Sequence, residues 1–183
     1  SSQTDDYIPQ FYTAMQLVMA GNDSQGLRYG TTLTSEKYYL NWKEEADQEF
    51  DYALDKYLYL LCNKERLLEL IYDFIIFDKG IKKVCRPNQF FGIKAAQQRI
   101  RDREGGILWH TQGSGKSLTM VWLTKWIREN ITDSRVLIIT DREELDEQIE
   151  KLFLGVEEEV YRTNSGRDLV RVLNNKIEPL ICS

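Results

Sequence analysis

The sequence predicts an α/β fold: a partial parallel sheet with flanking helices in the second half, preceded by a β-hairpin and a helical linker. Three observations predict it. From residue 86 onward, short apolar runs alternate with segments of helical period, and such alternation implies parallel strands joined by crossover helices. Between one apolar run and the next helix lies Thr111-Gln-Gly-Ser-Gly-Lys-Ser117, a glycine-rich turn ending in Lys-Ser. Upstream the pattern differs, and the composition breaks near residues 80–87.

Residues 11–34 read as strand–turn–strand. The apolar run from Met15 to Ala20 meets the turn formers Gly21-Asn-Asp-Ser-Gln-Gly26, and Leu27 to Leu33 then alternates among β-prone residues. Thr34 or Ser35 is placed to cap the next element. From about 42 to 62, Trp42, Ala46, Phe50, Ala53, Leu54, Tyr57, Leu58 and Leu61 recur at helical spacing. A second helix is expected over 64–77, begun by Asn63 as its cap, with Gly80 as its stop. These apolar stripes read as core. Lys79 to Pro87 reads as a connector, with Pro87 opening the next element. There follow a helix (88–103), a strand (106–110), a helix (116–130), a strand (135–140) and a helix (142–154). A short strand (159–163), a helix (166–175) and the apolar stretch Pro179 to Ser183 complete the pattern.

Of 183 residues, 42% are hydrophobic and 29% charged, which places the chain among soluble globular proteins and away from disordered ones. No apolar run approaches the roughly 18–20 residues that span a membrane. Cys62, Cys85 and Cys182 are scattered without C-x-x-C spacing, as expected of free thiols in a reducing cytoplasm. A net charge of −5 argues against a simple basic DNA-coating protein. The charge is nevertheless segregated. Lys79, Lys82, Lys83, Arg86, Lys94, Arg99, Arg101 and Arg103 fall within 79–103, and acids crowd 141–159. Either a local groove for nucleic acid or two solvated faces fits that distribution.

The glycine-rich turn departs from the general phosphate-loop signature G-x-x-x-x-G-K-[ST] at its first position, where His110 stands. A phosphate loop aims backbone N–H groups at an anion and sets the positive end of a helix dipole behind them. Close backbone approach matters in the inner stretch, where Gly113 and Gly115 are both present. Lys116 is placed to reach the β and γ phosphates, and Ser117 to hold Mg²⁺. His110, the single histidine, reads as packing at a strand end, not as a catalytic or metal-binding group.

Behind an apolar run and Trp109-His110, TQGSGKS resembles the first motif of superfamily 2 helicase-like motors. It most closely resembles that of the restriction subunit of type I restriction enzymes. Arg86-Pro-Asn-Gln-Phe-Phe-Gly-Ile-Lys-Ala-Ala96 is similar to the family's glutamine motif, in which Gln89 would read adenine through its amide. Val136-Leu-Ile-Ile-Thr-Asp-Arg-Glu-Glu-Leu-Asp-Glu-Gln148 resembles its VLxxTDRxxLDxQ segment, and Asn164-Ser-Gly-Arg-Asp-Leu169 with Leu173 resembles the segment after the third strand. The likeness covers 86–183 well. It is weaker upstream, where Ile8-Pro-Gln-Phe11, the hairpin, Arg28-Tyr-Gly-Thr31 and Trp42 look like the end of the family's nuclease domain and the helices leading into the motor. Gln3 and Tyr7 match that domain's Q-x-x-x-Y.

The resemblance implies three segments: 1–34 as the end of a nuclease domain, 35–85 as a helical linker, and 86–183 as the front of a first RecA-like motor lobe. It implies ATP and Mg²⁺ as cofactors, held by Arg86, Gln89, Thr111, Gln112, Gly113, Ser114, Gly115, Lys116 and Ser117, with Ser117 reaching the metal through the nucleotide. It places Thr140, Asp141, Arg142 and Gln148 on the DNA side. Double-stranded DNA and the modification and specificity subunits of a type I complex are the implied partners, in the cytoplasm and away from membranes.

Such a motor also needs an acid at the end of a later strand and arginines from a second lobe. Asp141 closes the first strand after the loop's own helix, too early for that acid, and Arg142 follows it. With Glu144 it also forms a D-x-x-E capping box. The nuclease pattern [DE]-x-K is absent, since no lysine has Asp or Glu two positions earlier. The chain therefore reads as an internal fragment that carries the nucleotide cradle and performs no chemistry alone. Two other readings share the loop: a P-loop kinase, and a non-catalytic interaction module in which the loop is vestigial.

Overall fold

The computed structural model describes residues 9–140, 143–175 and 180–182. The chain forms two compact units. The first runs to Phe77 and includes Ile81–Phe91; the second comprises Asp78–Gly80 and the chain from Gly92 onward.

In the first unit a short helix α1 (Pro9–Thr13) precedes antiparallel strands β1 (Val18–Asn22) and β2 (Gly26–Gly30). The expected hairpin is present within narrower limits, and β3 (Leu40–Asn41) adds to the free side of β2. Asn22 turns the chain: its Oδ1 accepts from the amides of Ser24 at 3.2 Å and Gln25 at 2.7 Å, an Asx turn.

The helix expected from about 42 is shorter. It is α2 (Ala53–Leu61), and residues 42–52 are irregular. Like charges explain the loss. Glu45 with Glu49 and Asp47 with Asp51 would stand one turn apart on a helix, where such pairs destabilise it. The segment packs back instead, with the Phe50 and Tyr59 rings 5.3 Å apart. Trp42 leaves the stripe altogether and is fully buried. Its ring lies 5.3 Å from Phe90 and 5.9 Å from Tyr29, and its Nε1 donates to Glu44 Oε2 at 2.7 Å. Arg66 lies over the same rings, 5.4 Å from Trp42 and 5.7 Å from Phe90. It pairs with Glu44 and donates to Leu60 O at 2.9 Å. An arginine among aromatic faces thus keeps charged and polar partners, as burial demands.

Helix α3 (Lys64–Asp73) begins at the expected cap, Asn63, whose side chain accepts from Glu65 N at 3.1 Å and Arg66 N at 3.5 Å. Asn63→Ala is expected to lower the stability of this unit by about 1 kcal/mol. A urea midpoint unchanged from the parent would show that the cap contributes nothing.

The helical period over 64–77 overruns the helix. Ile75–Asp78 is a strand, β4, paired with β5 (Ile81–Val84), so the connector expected after Lys79 is half of a hairpin. Lys79 and Gly80 have φ of 51° and 78°, as both central residues of a type I′ turn require. Gly80 therefore serves a hairpin turn and does not stop a helix. With β3, β4 and β5 inside it, the stretch 35–85 is not uniformly helical. Thr31 Oγ1 donates to Lys82 O at 2.7 Å, and the buried Tyr29 hydroxyl donates to Cys85 O at 2.9 Å. Burial pushes the Tyr29 phenol well above its ordinary pKa, so it stays a donor.

Helix α4 (Pro87–Arg101) starts on its proline, as the sequence predicts, and contributes residues to both units. In the second unit, α5 (Lys116–Asn130), α6 (Glu143–Gly155) and α7 (Gly166–Asn175) alternate with β6 (Val136–Ile138), β7 (Tyr161–Arg162) and β8 (Leu180–Cys182). The three strands are parallel in the order β6-β8-β7, with Val136 opposite Leu180 and Tyr161 opposite Ile181. β8 is central and buried at every position, the mark of a strand covered on both faces. Val121, Trp122, Ile149, Phe153 and Val172 complete this core.

The strand expected at 106–110 is not formed. Residues 104–111 carry no ladder, and Ile107 and Trp109 are 90% and 89% exposed. An apolar β-prone run becomes a strand only beside a hydrogen-bonding neighbour, and among the described residues this one has none. All three cysteines are free thiols, Cys85 and Cys182 buried and Cys62 partly so. No described helix is long and apolar enough to cross a membrane.

Candidate functional site

The glycine-rich segment sits at the N-terminus of α5. Thr111 O accepts from Ser114 N at 3.3 Å and from Ser114 Oγ at 2.7 Å, which closes a tight turn. Gly113 and Gly115 follow at φ 75° and 84°. A Cβ at Gly113 would meet nothing within 4 Å, so glycine is needed there for its backbone angle and not for room. Gly115 is the N-cap of a 15-residue helix and has no side chain to bond the first-turn amides. First-turn amides left without a side-chain cap attract anions.

Lys116 begins that helix and is exposed. Its Nζ folds back over the turn and donates to Thr111 O at 3.0 Å and His110 O at 3.1 Å. An ammonium therefore sits over the same turn that opens the helix. Ser117 is half-buried in the first turn, and Gln112 is exposed at the tip of the loop. Thr119, which the sequence motif does not include, ties the helix to the turn: its amide and its Oγ1 both donate to Gly115 O, at 3.1 and 3.3 Å.

His110, expected to pack at a strand end, has no strand to close, and its ring lies instead beside Gly92. An ideal Cβ on Gly92, inside α4, would lie 3.2 Å from His110 Nε2 and 3.4 Å from Leu108 Cδ2. Glycine inside a helix costs roughly 0.5–1 kcal/mol relative to alanine, and an alanine here would crowd the ring by a few tenths of an ångström. The signal is visible in the sequence, an isolated glycine in a helical run, but its partner is not.

Gln89, expected to read adenine, also takes part in the fold. It is 2% exposed, and its Oε1 accepts from Arg86 N at 2.8 Å. Arg86 is the residue before α4, so this is the return arm of a capping box. As placed, its Oε1 serves the start of the helix. Arg86 itself is exposed at that start.

Of the residues expected on the DNA side, Thr140 is half-buried just after β6. Asp141 and Arg142, and the side chains of Glu144 and Gln148, lie outside the described residues, as do Gln3 and Tyr7. Lys82 is buried with its Nζ on Met15 O at 2.7 Å, Arg99 pairs with Glu104, and Arg101 lies 5.0 Å over Trp126. Downstream, Asp168 organises the N-terminus of α7. It accepts from Asn164 N at 3.1 Å, from the Tyr161 hydroxyl at 3.1 Å and from Arg171 at 2.7 Å. The Arg171 bond first, then the Asn164 amide, hold its carboxyl below the usual range.

A family model described as SWI2/SNF2 ATPase matches residues 88–183, over half of the chain. The chain belongs to the SWI2/SNF2 ATPase family. The matched stretch of this SWI2/SNF2 chain contains the loop, α5 and all three parallel strands. It is also a homologue of type I restriction enzyme endonuclease subunits. A putative type I restriction enzyme MjaIXP endonuclease subunit of Methanocaldococcus jannaschii is 30% identical over 91% of this chain and 19% of the relative. The HindI endonuclease subunit of Haemophilus influenzae is 27% identical over 94% of the chain and 17% of its own length. The SauCOLORF180P subunit of Staphylococcus aureus is 27% identical, over 98% and 20% respectively. The chain thus spans about a fifth of the length of these relatives.

Proposed function

We propose that Thr111–Ser117 cradles the triphosphate of ATP within the restriction subunit of a type I restriction-modification enzyme. In that subunit ATP hydrolysis drives double-stranded DNA past the motor before endonucleolytic cleavage. One observation carries the reading: the N-terminus of α5, opened by two positive-φ glycines and free of a side-chain cap, lies under the Lys116 ammonium. The residues fit the group. Gly113, Ser114 and Gly115 shape the turn that opens the helix, Lys116 exchanges its two carbonyl acceptors for phosphate oxygens, and Ser117 lies in the first turn where a hydroxyl can meet Mg²⁺. Arg86 and Gln89 are assigned to the nucleotide, Gln89 to the adenine through its amide. When bound, ATP supplies the phosphoanhydride whose cleavage powers the parent enzyme.

Thr140, with Asp141, Arg142 and Gln148, is assigned to the DNA-facing side, where short polar side chains meet phosphates. Residues 1–34 are assigned to the end of the nuclease domain, 35–85 to the linker and 86–183 to the front of the first motor lobe. Modification and specificity subunits complete the assembly. No described residue supplies the late-strand acid or the second-lobe arginines, so this chain alone is expected to bind ATP without turning it over.

Titration of the chain with ATP and with adenosine tests the cradle. The triphosphate is expected to bind on the order of a hundredfold more tightly, because charge-assisted bonds to phosphate dominate. Equal binding of the two would sink the reading. Measurable ATP turnover by the chain alone would overturn the assignment of the missing groups to other parts of the subunit.

A further inference from the structure

We propose that His110 and Gly92 form a positioning pair that sets the entry of the phosphate loop. The pair rests on the cradle reading above and adds to it a residue of α4 and the histidine that replaces the loop's first glycine. Three contacts converge on it. Gly92 leaves a notch in α4, and the His110 ring fills it, with Nε2 3.2 Å from where a Cβ would stand. Leu108 Cδ2 also lies beside the notch, 3.4 Å from the same point, and the His110 ring there is half-buried. The carbonyl of the same His110 accepts from Lys116 Nζ at 3.1 Å.

The physical consequence follows from the chain's stiffness. A side chain at 110 narrows the φ and ψ that a glycine would have there, and with the ring held against α4 the carbonyl of residue 110 keeps fewer directions open to it. That carbonyl and Thr111 O are the two acceptors that define where the Lys116 ammonium rests. A glycine at position 110 would leave the loop's entry free to rotate; the ring in its notch removes that freedom. Trp109, one residue earlier, is exposed and offers no such anchor. The sequence thus replaces a flexible glycine with a wedged ring and provides a second glycine, in another helix, to receive it.

A double-mutant cycle tests the pair, with ATP affinity and the thermal midpoint measured for the parent chain, Gly92→Ala, His110→Ala and the double variant. Gly92→Ala is expected to weaken ATP binding about tenfold by pushing the ring, a modest fraction of what misplaced binding groups can cost. In the His110→Ala background the same substitution should change affinity less than about twofold, since no ring remains to be pushed. A merely structural Gly92 would shift the thermal midpoint and leave affinity untouched in both backgrounds.

Parent-like affinity in Gly92→Ala, or an equal loss in both backgrounds, overturns the proposal. Should Gly92→Ala fail to fold, His110→Ala and His110→Gln decide it. The glutamine, planar and polar at its end, is expected to keep most of the affinity that the alanine loses, and parent-like binding by the alanine overturns the pair. Lys116→Ala, measured alongside, separates the two readings. If it too binds like the parent, the cradle itself fails; if it alone loses binding, only the positioning pair fails.

Discussion

Lys116→Ala is expected to weaken ATP binding by on the order of a hundredfold. The Nζ rests on two carbonyls of its own turn, at 3.0 and 3.1 Å, so the ammonium is held at the loop by neutral acceptors. Exchanging neutral carbonyls for phosphate oxygens turns each contact into an ion-to-ion hydrogen bond, worth about 1.5 kcal/mol or more apiece. Two such bonds amount to about 3 kcal/mol, or roughly a hundredfold in affinity. Lys116→Arg keeps the charge but replaces a compact ammonium with a wide planar fork, and only partial recovery is expected. Calorimetric titration at fixed ionic strength is the measurement, with adenosine as the control that the alanine variant should bind as before. Should Lys116→Ala match the parent for ATP, the ammonium plays no part in binding phosphate.

Trp42→Ala should produce the largest loss of stability, about 3–5 kcal/mol, confined to the first unit. The indole is fully buried, touches Tyr29, Phe90 and Phe91, and lies under the Arg66 guanidinium. Its removal leaves a cavity and also takes away the donor at 2.7 Å from Glu44. Arg66 then keeps Glu44 but loses the largest face on which its charge rests. Trp42→Phe restores most of the packing without the N–H, and a loss nearer 1–2 kcal/mol is expected because only the bond and part of the volume are gone. Urea unfolding followed by amide exchange at β2, α3 and the start of α4 reads the effect. Exchange in those elements no faster than in the parent would show that Trp42 is not central to this core.

The parts of the fold set by local chemistry were legible in the sequence. Asn63 caps α3 because a short carboxamide can bond the amides two and three residues on. Pro87 opens α4 because its missing N–H is not needed there, and α5 and α7 occupy the predicted spans because their apolar periods are uninterrupted. The alternation of strands and helices announced a parallel sheet, but not its membership: the expected strand at 106–110 is absent and the apolar stretch at 180–182 is the central strand. Elements whose state depends on a neighbour were not legible. Ile75 and Ile76 continue a helical stripe on paper, yet pair with β5 once Lys79 and Gly80 turn the chain. Residues 42–52 keep a helical spacing that their own acids oppose.

Linear pattern alone was enough to single out the glycine-rich turn that opens a helix: two glycines at the right interval, a lysine, a hydroxyl and a helix after them. Spacing suffices there because amides, ammonium and dipole all belong to one short uninterrupted stretch, Thr111 to Ser117, and the helix it opens. The roles of Gln89 and His110 came from folding in three dimensions. One is buried on the amide of Arg86, and the other is seated against Gly92, and both outcomes depend on space and partners that a linear pattern does not encode.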